Sequence, residues 1–169
     1  YVFSREVLKK ALDNDMKDAA PTNFCIGVAC YPEKHFEAPN MISDLKYLKA
    51  KVDAGAEYIV TQMFFDNKKY FDFVKMCKEY DITVPIIPGL KILSNKKQIT
   101  ALPKIFQCDI PQPFYEELEK CKNDQQIREL GIEWCTQQSK ELVKAGVPCL
   151  HFYTMGSSDA TRAVAAQVF

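Results

Sequence analysis

Three polar side chains that follow the loop at residues 31–40 share one face of a predicted helix. Asp44, Tyr47 and Lys51 stand at positions i, i+3 and i+7, and residues three or four apart are neighbours on a helix surface. An ammonium and a carboxylate on such a face can make charge-assisted contacts to a polar ligand. The same spacing is typical of a solvated helix face, so the pattern alone leaves both readings open.

Further polar residues stand where predicted strands end, which is where parallel sheets bind their ligands. Tyr31 and His35 follow an apolar run at 24–30, and Gln62 lies within a second run at 58–65. At the ends of the second, third and fourth predicted strands, the candidate residues are Thr61-Gln62, Pro88-Gly89 and Tyr153-Thr154. His35 is a surface residue by default, but its place after a strand end favours ligand contact. A buried, unpaired carboxamide costs about 1–3 kcal/mol, so Gln62 needs hydrogen-bond partners, and a polar heterocycle is a natural one.

Several catalytic arrangements are missing from the sequence. It contains no glycine-rich phosphate loop and no Ser-His-Asp triad, and its two histidines, His35 and His151, belong to different units. A divalent-metal barrel lyase would need clustered carboxylate or histidine ligands at strand ends, and no such cluster is found. We therefore expect no metal site.

The chain alternates apolar strands with amphipathic helices. Asn40 and the pair Ser94-Asn95 stand at helix starts as caps, and Gly55 stands at a helix end. Gly131 could split the longest helix. The predicted strands cover 24–30, 58–65, 84–90 and 147–153, and the predicted helices cover 1–16 (capped by Ser4), 41–53, 67–80, 94–105, 113–122, 124–144 and 157–169 (capped at 157–159). The predicted core stripes contain Ile42, Leu45, Leu48 and Val52 in the second helix, and Tyr70, Phe71 and Phe73 in the third.

Strands that alternate with helices predict right-handed βαβ units and a parallel sheet. A doubly wound open sheet fits the length of 169 residues, whereas a (β/α)₈ barrel normally takes about 250 residues and eight strands. The doubly wound dinucleotide fold, however, lacks its GxGxxG turn here. We therefore predict an α/β fold in which residues 1–169 form a single domain, roughly the C-terminal half of a (β/α)₈ TIM-type barrel.

Composition and charge exclude some partners. The 22 basic and 22 acidic residues balance, so no overall field attracts nucleic acid or an anionic membrane. No apolar run approaches the roughly 20 residues of a membrane span, and the first residues do not resemble a signal peptide, so we expect a cytoplasmic protein. The seven cysteines are scattered without a CxxC pair, which favours reduced packing residues.

The segments ACYPEKHFEA, DLKYLKAKVDAGAEYIVTQMFFD, IIPGL and HFYTM closely resemble the methylenetetrahydrofolate reductase family. The resemblance covers the chain from about residue 24 to its end. It implies a (β/α)₈ barrel that holds FAD and uses NADH or NADPH as electron donor. The implied reaction is the ping-pong reduction of 5,10-methylenetetrahydrofolate to 5-methyltetrahydrofolate, in one-carbon and methionine metabolism. The implied partners are these small molecules and further copies of the chain in a homo-oligomer.

The resemblance also implies roles for individual residues. The flavin would be lined by Ala29, Tyr31, His35 and Ala38, while Asp44, Tyr47 and Lys51 would contact its ribose, phosphate or adenine portions. Gln62 would hydrogen-bond the pterin ring of the folate, and Gln98 would lie near the nicotinamide or the folate. Two positions depart from the family pattern, because Leu102 replaces an aromatic stacking residue and Ser157 replaces an arginine.

The family's general acid, a glutamate, and an aspartate near the flavin come from the first half of the barrel. No segment here matches them, so we expect no catalytic residue on this chain. Either these residues are part of a longer polypeptide, or a half-length subunit needs a partner. The alternative function is a non-catalytic half-barrel that binds flavin or pterin, or that supports a partner subunit.

Overall fold

The computed structural model describes residues 23–156 and 158–169. The predicted helix at 1–16, its cap Ser4 and Ser157 lie outside the described residues. The elements, in chain order, are β1 Gly27–Cys30, α1 Met41–Asp53, β2 Tyr58–Met63, α2 Asn67–Glu79, β3 Ile86–Leu90, α3 Lys96–Phe106, α4 Gln112–Lys120, α5 Asp124–Lys144, β4 His151–Phe152 and α6 Asp159–Val168. None of these helices is both long and apolar enough to cross a membrane.

The four strands form one parallel sheet in the order β1-β2-β3-β4. A doubly wound sheet reverses its strand order at a switch point, whereas the strands of a (β/α)₈ barrel follow one another in chain order. The sequential order and the helical connections confirm the predicted α/β fold of the TIM-barrel type. The described residues form a four-stranded arc of such a barrel.

The strands are shorter than predicted. β4 covers only His151–Phe152, instead of 147–153, and β1 begins at Gly27 instead of residue 24. An apolar run predicts which residues can be buried. The length of a strand, however, is set by how many of its residues pair with an adjacent strand. Among the described residues, β4 pairs with β3 alone, through Gly89↔His151 and Leu90↔Phe152.

Local sequence signals set most helix ends. The Oδ1 atom of Asn40 accepts a hydrogen bond from Ser43 N at 2.9 Å, and that of Asn95 accepts one from Gln98 N at 3.2 Å, so both predicted caps are confirmed. Gly55 ends the turn after α1 with a φ of 109°, a conformation that glycine adopts at low cost. Ser158 occupies the cap position of α6, but its side chain makes no capping hydrogen bond.

The buried apolar side chains form two clusters. The larger lies between the sheet and α1, α2, α5 and α6, and the smaller lies among α3, α4, α5 and the residues that follow β2 and β3. Leu45 and Leu48 are buried as predicted. Ile42 and Phe71 are 55% and 37% exposed, so their prediction as core residues is wrong.

The cysteines differ in how far they are buried. All seven are free; Cys77 and three others are buried, whereas Cys25 and Cys149 are exposed. The prediction that the cysteines are packing residues is therefore wrong for the two exposed ones. Burial raises the pKa of the Cys77 thiol to about 12, which keeps that thiol neutral and unreactive at physiological pH.

Gly131 does not split the long helix, because α5 is continuous over 21 residues. Its role is to allow a close approach between α5 and the segment after β3. A Cβ atom at Gly131 would stand 2.1 Å from the carbonyl oxygen of Leu93. Only a residue without a side chain lets helix and backbone pack at this distance.

We expect Gly131→Ala to lower the free energy of unfolding by about 1–3 kcal/mol, because the added methyl group forces the Leu93 backbone to move. Alanine gains about 1 kcal/mol of helix propensity over glycine, and the clash outweighs this gain. Urea denaturation checks the result, with Lys140→Ala at an exposed position of the same helix as the control. A stabilised Gly131→Ala variant would contradict the close approach.

Candidate functional site

A cavity of about 520 Å³ opens between the end of β1, the loop that follows it and α1. Six of the seven residues predicted to hold a cofactor line this cavity: Ala29, Tyr31, His35, Asp44, Tyr47 and Lys51. Its volume falls within the roughly 300–1,000 Å³ that is typical of small-molecule sites. The shared face of α1 therefore borders a cavity rather than open solvent alone.

The loop wall of the cavity is held by Asp44. Its Oδ2 atom accepts a hydrogen bond of 2.7 Å from the backbone N of His35. The His35 ring lies edge-on to Tyr31, with ring centroids 4.6 Å apart and planes at 84°. Asp44 thus joins α1 to the loop that carries both rings.

Lys51 supplies the positive charge of the cavity. Its Nζ atom donates to the carbonyl oxygen of Ala29 at 3.1 Å, which ties the last turn of α1 to β1. No other lysine or arginine of the described residues lines the cavity. Because Tyr47 is exposed on the same helix face, a ligand would meet a phenol ring, a carboxylate and an ammonium group along α1.

Ala38 is the predicted cofactor residue that does not line the cavity. It is buried, and its carbonyl oxygen accepts a hydrogen bond of 2.6 Å from Lys34 Nζ. Its observed contacts therefore belong to the fold of the loop. Cys30 lines the cavity, but burial raises the pKa of its thiol, so a thiolate nucleophile is not available there.

Glu33 anchors the same loop from its far side. Its Oε2 atom accepts hydrogen bonds from Lys69 Nζ at 2.9 Å and from the backbone N of Asp109 at 2.8 Å, and Lys69 also pairs with Asp109. Burial raises the pKa of the Glu33 carboxyl group despite these bonds. The sequence analysis missed this role, because the partners lie 36 and 76 positions away.

The strand-end residues of β2, β3 and β4 meet around Gly89. Thr61 Oγ1 accepts from the backbone N of Gly89 at 2.9 Å, and Tyr153 Oη donates to the carbonyl oxygen of Thr61 at 2.9 Å. A Cβ atom at Gly89 would stand 2.3 Å from that carbonyl oxygen and 2.7 Å from the Tyr153 ring. Glycine therefore lets the tyrosine cross β3 and fasten β4 to β2.

Gln62 and Gln98 lie outside the cavity. The half-buried Gln62 is near the carboxyl end of β2, and its Oε1 atom accepts from the backbone N of Met63 at 3.0 Å. Gln98 is in the first turn of α3, where its Oε1 atom accepts from Ser94 N at 2.8 Å. The observed bond of Gln98 is thus a helix-capping bond. Leu102 is buried in the smaller core cluster.

Lys91 is a buried cation that the sequence analysis did not single out. It directly follows β3, is 6% exposed, and makes no hydrogen bond or ion pair with any described residue. Burial lowers the pKa of its amine, and the nearby Cys135 thiol opposes this effect. Since an unpaired buried charge is costly, we expect Lys91 to lower the stability of the fold at neutral pH.

We expect Lys91→Met to raise the free energy of unfolding at pH 7 by about 1–3 kcal/mol, because methionine fills a similar volume without a charge. The folded-state pKa of Lys91 lies below its unfolded value of about 10.4. The cost is therefore greatest below the folded-state pKa and disappears as the pH rises through the unfolded value. Urea denaturation at pH 7 and pH 10 should show a smaller difference between the two proteins at pH 10.

The control for Lys91→Met is Lys75→Met, at an exposed position of α2. We expect this variant to change stability by less than about 0.5 kcal/mol. Equal stability of Lys91→Met and the parent protein at pH 7 would mean that the Lys91 amine has compensating contacts.

Among residues 23–156 and 158–169 no group of three or more His, Cys, Asp or Glu side chains could hold a metal ion.

The family of the chain follows from comparison with known proteins. The family model of methylenetetrahydrofolate reductase matches residues 8–168, which is nearly the whole chain. The chain belongs to this family. The methylenetetrahydrofolate reductase resemblance of the sequence motifs is thereby confirmed.

Individual methylenetetrahydrofolate reductases agree with this assignment. A probable methylenetetrahydrofolate reductase (NADPH) of Caenorhabditis elegans is 39% identical over 143 residues, which are 83% of this chain and 22% of the relative. Methylenetetrahydrofolate reductase 2 of Saccharomyces cerevisiae is 36% identical, over 95% of this chain and 26% of its own length. The 5,10-methylenetetrahydrofolate reductase of Salmonella typhimurium is 38% identical, over 84% of this chain and 48% of its own length. The chain thus spans less than half of each relative.

A solved structure supports the fold of this family member. An uncharacterised protein from Clostridium thermocellum, which binds two copies of 5-methyl-5,6,7,8-tetrahydrofolic acid, aligns with a TM-score of 0.58 and 18% identity. The alignment covers 84% of this chain and 51% of that protein. At this level of identity the similarity concerns the fold alone.

Proposed function

We propose that the chain contributes the later barrel strands of a flavin-dependent methylenetetrahydrofolate reductase. The proposed reaction is the reduction of 5,10-methylenetetrahydrofolate to 5-methyltetrahydrofolate with NADH or NADPH. The single observation that carries the proposal is the convergence of Tyr31, His35, Asp44, Tyr47 and Lys51 on one cavity in a chain of this family. The names of the relatives support a nicotinamide donor and a folate substrate.

The donor set of the cavity fits FAD. The Lys51 ammonium can neutralise a diphosphate, and the Asp44 carboxylate retains an oxygen that can accept hydrogen bonds from ribose hydroxyl groups. The rings of Tyr31 and Tyr47 offer aromatic surfaces. FAD held by these residues would supply hydride transfer between the nicotinamide and the folate, in two alternating half-reactions.

The residues of this chain have positioning and binding roles in the proposal. Asp44 and Glu33 hold the loop that presents Tyr31 and His35. Gln62 is proposed to hydrogen-bond the pterin, because its Nε2 donor has no acceptor among the described residues and a carboxamide can pair with a heterocyclic amide. Gln98 remains a proposed neighbour of the nicotinamide or folate. The proposal assigns no proton donor to this chain.

The test uses the complete protein that contains this chain. We expect added FAD to remain bound through desalting and to give a visible flavin spectrum. NADH or NADPH should then bleach that spectrum, and methylenetetrahydrofolate should restore it with formation of 5-methyltetrahydrofolate. A protein that stays colourless after incubation with FAD would overturn the proposal.

The alternative is a binding half-barrel without turnover. It requires only the ligand contacts of the cavity at β1 and α1, such as those offered by Tyr47 and Lys51. It predicts that FAD or a reduced folate raises the melting temperature, while NADH with menadione as electron acceptor gives no oxidation. Turnover in that assay excludes the alternative.

A further inference from the structure

A second cavity, of about 560 Å³, lies between the start of α2, the start of α4 and the middle of α5. It shares no lining residue with the cavity at β1 and α1. Its walls are mainly apolar, with the rings of Phe65, Phe71 and Trp134 beside Pro111 and Pro113. The exposure of Phe71, which sequence periodicity assigns to the core, is explained by this cavity.

The polar part of this second cavity is a network around Gln138. Gln138 is 6% exposed. Its Nε2 atom donates to the carbonyl oxygen of Phe64 at 3.3 Å and to Asn67 Oδ1 at 3.2 Å. Because both of these partners are acceptors, the amide orientation is determined. The Oε1 atom is buried without a hydrogen-bond partner among the described residues. A buried acceptor in this state is about 1–3 kcal/mol less favourable than a paired one.

Two carboxylates give the second cavity a negative charge. Asp66 and Glu141 both line it, and Glu141 Oε2 accepts a hydrogen bond of 2.6 Å from Asn67 Nδ2. Neither carboxylate forms a salt bridge with a described residue. The cation at the rim, Lys68, pairs instead with Asp72. Asp66 also caps α2, because its Oδ1 atom accepts a hydrogen bond of 2.9 Å from Lys68 N. Two carboxylates of the cavity wall thus have no ammonium or guanidinium partner among the described residues.

The aromatic walls suit a cation as well. The Trp134 indole donates its N–H to the carbonyl oxygen of Phe65 at 3.0 Å, and its ring stacks on Phe114 with centroids 4.3 Å apart. These contacts fix the indole at the cavity wall. Aromatic faces attract ammonium groups by about 0.5–2 kcal/mol, which adds to the attraction of the carboxylates.

We propose that the second cavity binds a small primary amine on an aromatic or similarly bulky apolar body. The ammonium group would lie near Glu141, while the apolar body would pack against Phe71 and Trp134. The proposal is independent of the flavin and folate assignment, because it uses none of the residues of that site.

Phenethylamine is the probe, and phenethyl alcohol is its neutral analogue. Trp134 lines this cavity and is the one tryptophan among these 169 residues. The fluorescence change of the complete protein that disappears in Trp134→Phe therefore reports binding at this cavity. We expect a saturable change at pH 7.5 with a dissociation constant of about 0.1–1 mM for the amine. The alcohol should bind at least about tenfold more weakly, because it brings no charge to the carboxylates.

The variant that tests the charge is Glu141→Gln, which keeps an oxygen acceptor for Asn67 and removes the negative charge. We expect amine binding to weaken about fivefold to tenfold, consistent with the loss of one charge-assisted contact. Glu133→Gln is the matched control, since Glu133 is an exposed residue of the same helix that does not line this cavity. It should bind the amine like the parent chain.

Three results with the probe, its neutral analogue and the Glu141→Gln variant would overturn the proposal. They are the absence of a saturable fluorescence change with phenethylamine, equal binding of the amine and the alcohol, and equal amine binding by the parent chain and Glu141→Gln. Equal weakening in Glu133→Gln would also overturn it, because the attraction would then come from the overall charge of the helix.

Discussion

Lys51→Ala should weaken FAD binding about tenfold to hundredfold, as expected for the loss of one charge-assisted contact worth roughly 1.5–3 kcal/mol. Lys51 is the one lysine or arginine among the described residues that line the cavity at β1 and α1. Its hydrogen bond to Ala29 is made at the cavity edge, so its removal leaves a carbonyl oxygen that water can reach. The fold should therefore be retained while the ligand loses its positive partner.

The measurement for Lys51→Ala is a titration of the apo form of the complete protein with FAD, followed by flavin fluorescence. Lys46→Ala is the matched control, because Lys46 is an exposed residue of the same helix that does not line the cavity. Equal melting temperatures of the apo forms would show that both variants are folded. An unchanged dissociation constant in Lys51→Ala would refute the phosphate role of this lysine.

The sequence was sufficient to predict features that depend only on residues a few positions apart along the chain. That Asp44, Tyr47 and Lys51 share one face of α1 follows from helical periodicity, whereas the cavity beside that face is known only from the structure. The caps Asn40 and Asn95 are equally local, since each bonds a backbone N–H three residues later. Such features need no knowledge of what packs against the helix.

The sequence was insufficient where a tertiary neighbour decides the outcome. Ile42 belongs to the apolar stripe of α1 by periodicity, yet it is 55% exposed, whereas Leu45 one turn later is buried. Gly131 resembles a helix breaker, but the Leu93 backbone beside it explains why a side chain is excluded. Helix propensity and periodicity describe a segment by itself. Packing against other segments decides which of its residues are buried and whether a helix continues through a glycine.

The contacts of two charged residues, Glu33 and Lys91, also could not be predicted from the sequence. Glu33 lies within a loop that the motifs already marked, but its partners Lys69 and Asp109 come from distant segments. Lys91 follows an apolar strand, and nothing in its neighbours along the chain predicts that its amine is buried. The sequence predicts which loop and helix border the candidate cavity, whereas the contacts that hold them depend on the fold.

Gln62→Ala should damage the folate half-reaction of the complete enzyme about tenfold to hundredfold, because a site that loses a paired amide contact leaves polar ligand atoms unpaired. Gln62 stands near the carboxyl end of β2, where its Oε1 atom is engaged by the Met63 backbone. The proposed pterin contact therefore uses the Nε2 donor. Hydride delivery from the nicotinamide depends mainly on ring stacking, so that half-reaction should change little.

The two half-reactions can be measured separately by stopped-flow absorbance at the flavin wavelength. Reduction by NADH or NADPH is followed first, and reoxidation by methylenetetrahydrofolate is followed with prereduced protein. Gln125→Ala, at an exposed position of α5, is the control and should leave both rates unchanged. A selective loss of reoxidation supports the pterin contact, since a general distortion of the barrel would slow both steps. If Gln62→Ala slows both rates equally, or slows neither rate, the role of the Gln62 carboxamide is its hydrogen bond to the Met63 backbone. The carboxamide then does not select the folate.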